Sequence, residues 1–213
     1  MANTPQAGTR ERVVRAASLL MQRQGYEGTG IKQVAQEAKA TLGSVYHFFP
    51  GGKQELGVAA VQHADQEFAE LLAASLSAEA DPAKAVAACA RELARLLRDS
   101  GWVDGCPISA TALETTGRAP AIEQAVAQAF QHWRDLVAGT LREAGFPEGD
   151  ARDLATTVIS TLEGAELTAQ VAKSETPLTV AGEHLARLID SYKGRDFVAG
   201  ADHIVEGSGI KTV

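Results

Sequence analysis

The chain has 213 residues, 45% of them hydrophobic and only 5% aromatic, which supports a packed core and excludes a disordered chain. No apolar run approaches the ~20 residues of a membrane span, and Met1-Ala2-Asn3-Thr4-Pro5 lacks the segments of a signal peptide, so a cytoplasmic protein with no membrane partner is expected. The net charge of −7 argues against a nucleic-acid partner, but residues 1–58 hold seven bases and four acids, a balance of +3 that leaves −10 on the rest. A small basic segment on an acidic body is the distribution of a DNA-binding head carried by a body that does not touch DNA.

From Thr9 to about Gln24, the apolar residues Val13, Ala17, Leu20 and Met21 recur on one helical face, and Gly25 stops the helix. A second helix covers Ile31 to Ala38, with Ile31, Val34, Ala35 and Ala38 inward. Thr41 is a good N-cap for a short third helix that turns Val45, Phe48 and Phe49 inward. Pro50-Gly51-Gly52 breaks the chain, and a long fourth helix runs from Lys53 to Ser77. Asp81-Pro82 opens the next helix, with Val86, Ala90, Leu93 and Leu97 as its stripe and Ser100-Gly101 as its end. After a loop to Pro107, a short helix spans Ser109 to Thr116. Ile122, Val126, Phe130, Trp133, Val137 and Leu141 then mark a helix that ends at Gly145. Pro147 and Pro177 start the last two, with Leu154, Val158, Thr161, Leu162 and Ala165 on one face and Ala181, Leu185, Leu188, Ile189 and Tyr192 on the other. The segment 194–213 reads as a loose tail. No strand pattern is found, so the expected class is all-α.

Three short helices, a break and a long helix form the layout of a helix-turn-helix head on a helical body. The tight turn is Ala38-Lys39-Ala40-Thr41, and the third helix is the candidate DNA reader. Gly43 lets the backbone come close to a duplex, while Thr41 and Ser44 offer hydroxyls to phosphates or base edges. Tyr46 and His47 fall on the outer side one turn later, and Lys53 adds a cation where the fourth helix presents its N-terminal amides.

These residues carry a family resemblance. Thr29-Gly30-Ile31-Lys32-Gln33-Val34-Ala35, then Thr41-Leu42-Gly43-Ser44-Val45-Tyr46-His47-Phe48-Phe49 and Lys53-Gln54-Glu55-Leu56, resemble the DNA-binding head of TetR-family repressors. Phe49-Pro50-Gly51-Gly52-Lys53 and, more loosely, Gly105-Cys106-Pro107-Ile108 are similar to the lincomycin-resistance-repressor branch. The resemblance implies a DNA-binding head at 1–52 and a ligand-binding and dimerisation body at 53–193. It assigns DNA contacts to Thr29, Lys39, Thr41, Leu42, Gly43, Ser44, Tyr46, His47 and Lys53. Two departures stand out: Lys39 occupies a turn position usually held by glycine, and Gly30 replaces the usual hydroxyl at the start of the second helix, shifting that cap to Thr29.

Ligand control requires a cavity among the body helices. Phe68, Trp102, Cys106, Ile108, Phe130, Trp133 and Thr161 are its candidate lining. The last two long helices carry small residues (Ala155, Ser160, Gly164, Ala165, Ala181, Gly182, Ala186) that suit close contact in a homodimer. Such a dimer sets two reading helices roughly 34–36 Å apart and predicts a near-palindromic operator of double-stranded DNA. The expected function is repression relieved by a small-molecule effector, with a ligand-independent regulator or an activator as the alternative. The sequence holds no His-Glu-x-x-His, Cys-x-x-Cys, Gly-x-Ser-x-Gly or phosphate-binding glycine loop, so no catalytic residue, metal or cofactor is expected. Cys89 and Cys106 read as small semi-buried hydrophobes.

Overall fold

A computed structural model describes residues 8–193; the tail assigned to 194–213 lies outside the described residues. Among the described residues the fold is all-α: α1 Thr9–Gly28, α2 Ile31–Glu37, α3 Leu42–Phe48, α4 Gly52–Ser77, α5 Pro82–Asp99, α6 Pro107–Thr115, α7 Pro120–Glu143, α8 Glu148–Ala172 and α9 Thr176–Tyr192.

The predicted stop at Gly25 falls at a kink inside α1. Gly25 takes φ 75°, a conformation open to glycine, and one further turn follows before Gly28. A Cβ at Gly25 would also collide with the carboxylate of Glu114 on α6. Val13, Ala17 and Met21 on α1 close over Val34, Ala35 and Ala38 of the second helix and its end, and over Val45 and Phe49 around α3. Phe48, expected inward with Phe49, is only half-buried, because the α3 face that holds Val45 brings Phe49 and not Phe48 underneath.

In the body, α5 lies against α9, α4 and α8, and α7 is held between α4 and α8. Val86, Ala90, Leu93 and Leu97 of α5 are all buried, as are Ile122, Val126, Trp133, Val137 and Leu141 of α7. Pro82, Pro107 and Pro120 stand in first turns, where the missing N–H has no partner to lose. The short helix α6 begins two residues earlier than expected because Cys106 acts as its cap, the thiol accepting from Ser109 N.

Most of the small residues expected at the dimer interface serve the interior of the chain instead. Ala155, Ala165, Ala181 and Gly182 are buried, and a Cβ on Gly182 would stand 2.7 Å from Cβ of Ala90 on α5. Of that set, Ser160 and Gly164 remain outward on α8.

Candidate nucleic-acid interface and body cavity

Thr41 ends the turn after α2 in extended conformation and caps α3: its Oγ1 accepts from Ser44 N at 3.1 Å and lies 2.8 Å from Ser44 Oγ. Capping orients α3 so that Val45 faces the core. Leu42, Gly43, Tyr46 and His47 are then left exposed on the outer side, Tyr46 at 48%. Nothing inside the protein requires glycine at position 43, since a Cβ there would meet only Thr41 Oγ1, at 3.8 Å. Thr9, Thr41, Gly43, Ser44, His47 and Phe48 line one shallow depression that joins the start of α1 to the outer side of α3.

Lys39 is exposed and adopts φ 49°, the left-handed conformation that the turn demands. Ala38 N, Lys39 N and Ala40 N donate to the carbonyls of Val34, Gln36 and Ala35, so the turn is locked by backbone bonds. Two expected residues behave differently. Thr29 is buried and its Oγ1 donates to Gly25 O at 2.7 Å, so it closes the kink of α1 and neither caps α2 nor presents a hydroxyl to DNA. Gly30 stands at the N-cap of α2 with no side-chain cap in its place. Lys53 also turns inward: its Nζ donates to Glu27 O at 3.1 Å and sits 4.5 Å from the centre of the Tyr26 ring. At the start of α4, Glu55 accepts from Gly51 N at 2.7 Å.

Behind the head, a cavity of about 310 Å³ opens among α1, α4, α5, α7, α8 and the α5–α6 loop. That volume falls in the range of small-molecule sites. Phe68, Cys106, Ile108 and Trp133 line it as expected. Phe130, Trp102 and Thr161 do not. Phe130 stacks edge-on against Trp133, with ring centres 5.4 Å apart. Trp102, at φ 69°, completes the turn after α5 by donating from its backbone N to Leu97 O, and residues Asp104 and Gly105 of the same loop reach the cavity in its stead. Thr161 lies half-buried on α8, five residues before Glu166 of the wall.

Glu166 is the residue that aromatic spacing overlooks. It is only 8% exposed and lines both the cavity and a cleft of about 580 Å³ between α6 and α8. Burial, with Glu163 beside it, pushes its carboxyl up to about 8. Glu163 is likewise raised by burial, although Ser109 Oγ donates to it. The same burial and the two carboxyls push the Cys106 thiol well above its ordinary value. A sequence signal for Glu166 exists: it falls on the apolar face of α8 that also carries Leu162, Ala165 and Ala169, where a charge is out of pattern.

The head and the cavity are tied directly. Gln22 Nε2 donates to Gly105 O at 2.9 Å, Arg23 pairs with Asp104, and Glu27 N donates to Glu114 Oε2 at 2.8 Å. No helix among the described residues is long and apolar enough to cross a membrane.

Comparison with known proteins agrees with both parts. Residues 13–60 match the model of bacterial regulatory proteins of the tetR family, and residues 82–184 match the C-terminal domain of LmrA/YxaF-like transcriptional regulators. The chain is 34% identical over 170 residues to the HTH-type transcriptional regulator LmrA of Bacillus subtilis (strain 168), covering 80% of this chain and 90% of that protein. It is 32% identical over 186 residues to the HTH-type transcriptional regulator YxaF of the same strain, covering 87% and 97%. The crystal structure of a TetR transcriptional regulator from Chloroflexus aurantiacus J-10-FL gives a TM-score of 0.72 at 30% identity, over 85% of this chain and 94% of that one. The reduced form of E. coli NemR shares the fold, with a TM-score of 0.73 at 23% identity over 84% and 96%.

Proposed function

This chain belongs to the TetR family of DNA-binding transcriptional regulators, within its LmrA/YxaF-like branch, and from that premise we propose that it is a dimeric repressor released from its operator by a small molecule entering the body cavity. The cavity itself carries this reading, because it is walled by the α5–α6 loop whose Asp104 and Gly105 hold α1. A ligand that prefers a different loop position has a short mechanical route to the head, and weakens DNA binding by its own differential affinity.

The division into a head at 1–52 and a body at 53–193 belongs to this reading, as do the DNA contacts. Gly43, Ser44, Tyr46 and His47 of α3 face the major groove or its phosphates, with Thr41 and Lys39 at the near edge. Dimerisation is assigned to the outer faces of α8 and α9. On α8, Thr157, Ser160, Gly164, Leu167, Thr168 and Val171 are exposed and uncharged, Val171 at 78%, and Val180 on α9 is exposed as well. Exposed apolar side chains on such a face favour a partner that covers them.

The test is fluorescence anisotropy on labelled duplex from the promoter of the protein's own gene. Two protomers are expected per near-palindromic site, and replacement of Tyr46 or His47 by Ala is expected to weaken binding about tenfold, as loss of a hydrogen bond to a charged group does. Unchanged binding in both variants would overturn the docking of α3.

A further inference from the structure

The geometry points to the chemical class of the effector: a monocationic amphipath, an ammonium or protonated amine on an apolar body, whose charge is taken up by Glu166. This assignment rests on the ligand-release reading for its regulatory meaning but stands as a binding site without it. Glu166 is more than nine-tenths buried, lines the cavity, and has no hydrogen-bond or ion-pair partner among the described residues. A buried carboxylate with no partner is costly, so Glu166 keeps its proton until a cation from solution takes the proton's place.

The rest of the wall repeats the preference. Its titratable groups are Glu67, Asp104, Cys106 and Glu166, with no lysine, arginine or histidine among the lining residues. Two bases approach the wall from outside it: Arg23 in the adjoining cleft is held by Asp104 at 2.7 Å, and His63 stands 3.4 Å from Glu67. In the same wall, Phe68 and Trp133 stand with ring centres 4.2 Å apart. Those aromatic surfaces suit both an apolar body and a cation. An anionic ligand would find no cationic side chain among these lining residues.

Charge capture at a carboxyl raised by burial is coupled to proton release, so affinity for the cation rises with pH. The groups around Glu166 are Glu163 on the same helix, Cys89 on α5, Cys106 before α6, Glu67 on α4 and Asp104 in the loop of the shared cavity wall, and Arg23 and Glu114 in the cleft that Glu166 also lines. Both thiols are pushed up, Cys89 to about 12, and Glu163 already accepts from Ser109.

The experiment compares (4-hydroxymethylbenzyl)trimethylammonium with its uncharged isostere 4-neopentylbenzyl alcohol, titrated calorimetrically into the full chain. At pH 8.5 the ammonium is expected to bind at least tenfold more tightly than the alcohol. The preference is expected to disappear in Glu166→Gln, to persist in Glu163→Gln, and to narrow in the wild type at pH 6. Equal binding of the two compounds, binding of neither, a preference that survives in Glu166→Gln, or one indifferent to pH in the wild type overturns the assignment; the wild-type pH series needs no variant to fold. Operator anisotropy with saturating compound separates the two readings. Glu166-dependent binding without operator release removes the ligand-release reading and leaves the cation site. Release by the alcohol, together with equal calorimetric binding of the two compounds, does the reverse.

Discussion

Arg23 near the end of α1 donates through Nε to Oδ1 of Asp104 at 2.7 Å, and through Nη2 to Oδ2 at 3.2 Å. The fork joins the helix that supports the reader α3 to the loop that walls the cavity. Hydrogen bonding to the carboxylate raises the Arg23 guanidinium further above its ordinary value. Both side chains remain partly exposed, at 48% and 25%, which limits what the pair gives to stability.

Replacing Asp104 by Ala is therefore expected to cost no more than about 1 kcal/mol in denaturant unfolding. Operator affinity without effector should stay within about twofold of the wild type, a change below about 0.5 kcal/mol. Any effector that weakens operator binding in the wild type should act more weakly on the variant. An undiminished effector response would show that the loop communicates with α1 through Gln22 and Gly105 alone.

Lys39 holds the left-handed position at the end of α2, where glycine is the unstrained choice. Lys39→Gly is expected to raise stability by about 1 kcal/mol, or a melting temperature about 2–4 °C higher for a chain of this size. If the lysine is kept for a phosphate contact, the same variant binds operator more weakly, and the slope of log affinity against log salt shrinks by about one. Gained stability with unaltered binding would leave the strain at Lys39 without a DNA-binding reason.

Gly43 separates folding from recognition. Because a Cβ there meets nothing inside the protein, Gly43→Ala should fold at least as well, with a gain of up to about 0.5–1 kcal/mol from helix propensity. Operator binding should fall by about tenfold, since the added methyl stands between α3 and the duplex and displaces contacts worth about 1–3 kcal/mol. Thermal melting and anisotropy on the same preparation check both halves.

Glu166 gives the protein a pH signature. Its folded carboxyl is raised to about 8 from an ordinary 4.5, so between those values the folded state binds more protons than the unfolded state. Its contribution to stability is full below pH 4.5 and is lost as pH rises through about 8. The wild type should thus lose on the order of a few kcal/mol relative to Glu166→Gln across that window. Parallel stability curves for the two proteins would mean that the carboxyl is hydrated rather than buried.

Much of this molecule was legible in the sequence. Repeats of Val86, Ala90, Leu93 and Leu97, or of Ile122, Val126, Trp133, Val137 and Leu141, specify a helix and its buried face because both depend only on neighbours within two turns. The cap at Thr41 and the break at Gly145 are equally local. The remaining assignments required tertiary contacts. Thr29 turned inward because the kink at Gly25 leaves a carbonyl for its hydroxyl, and Gly182 served contact with α5 rather than a second chain. The cavity wall combines residues from α1, α4, α5, α6, α7 and α8, so it takes in Phe68 and Trp133 from the helical pattern and leaves out Phe130 of the same pattern and Trp102 of the loop. Periodicity tells which side of a helix faces inward. Whether that inward space is filled or left open to a ligand is decided only when several helices, distant in the chain, meet.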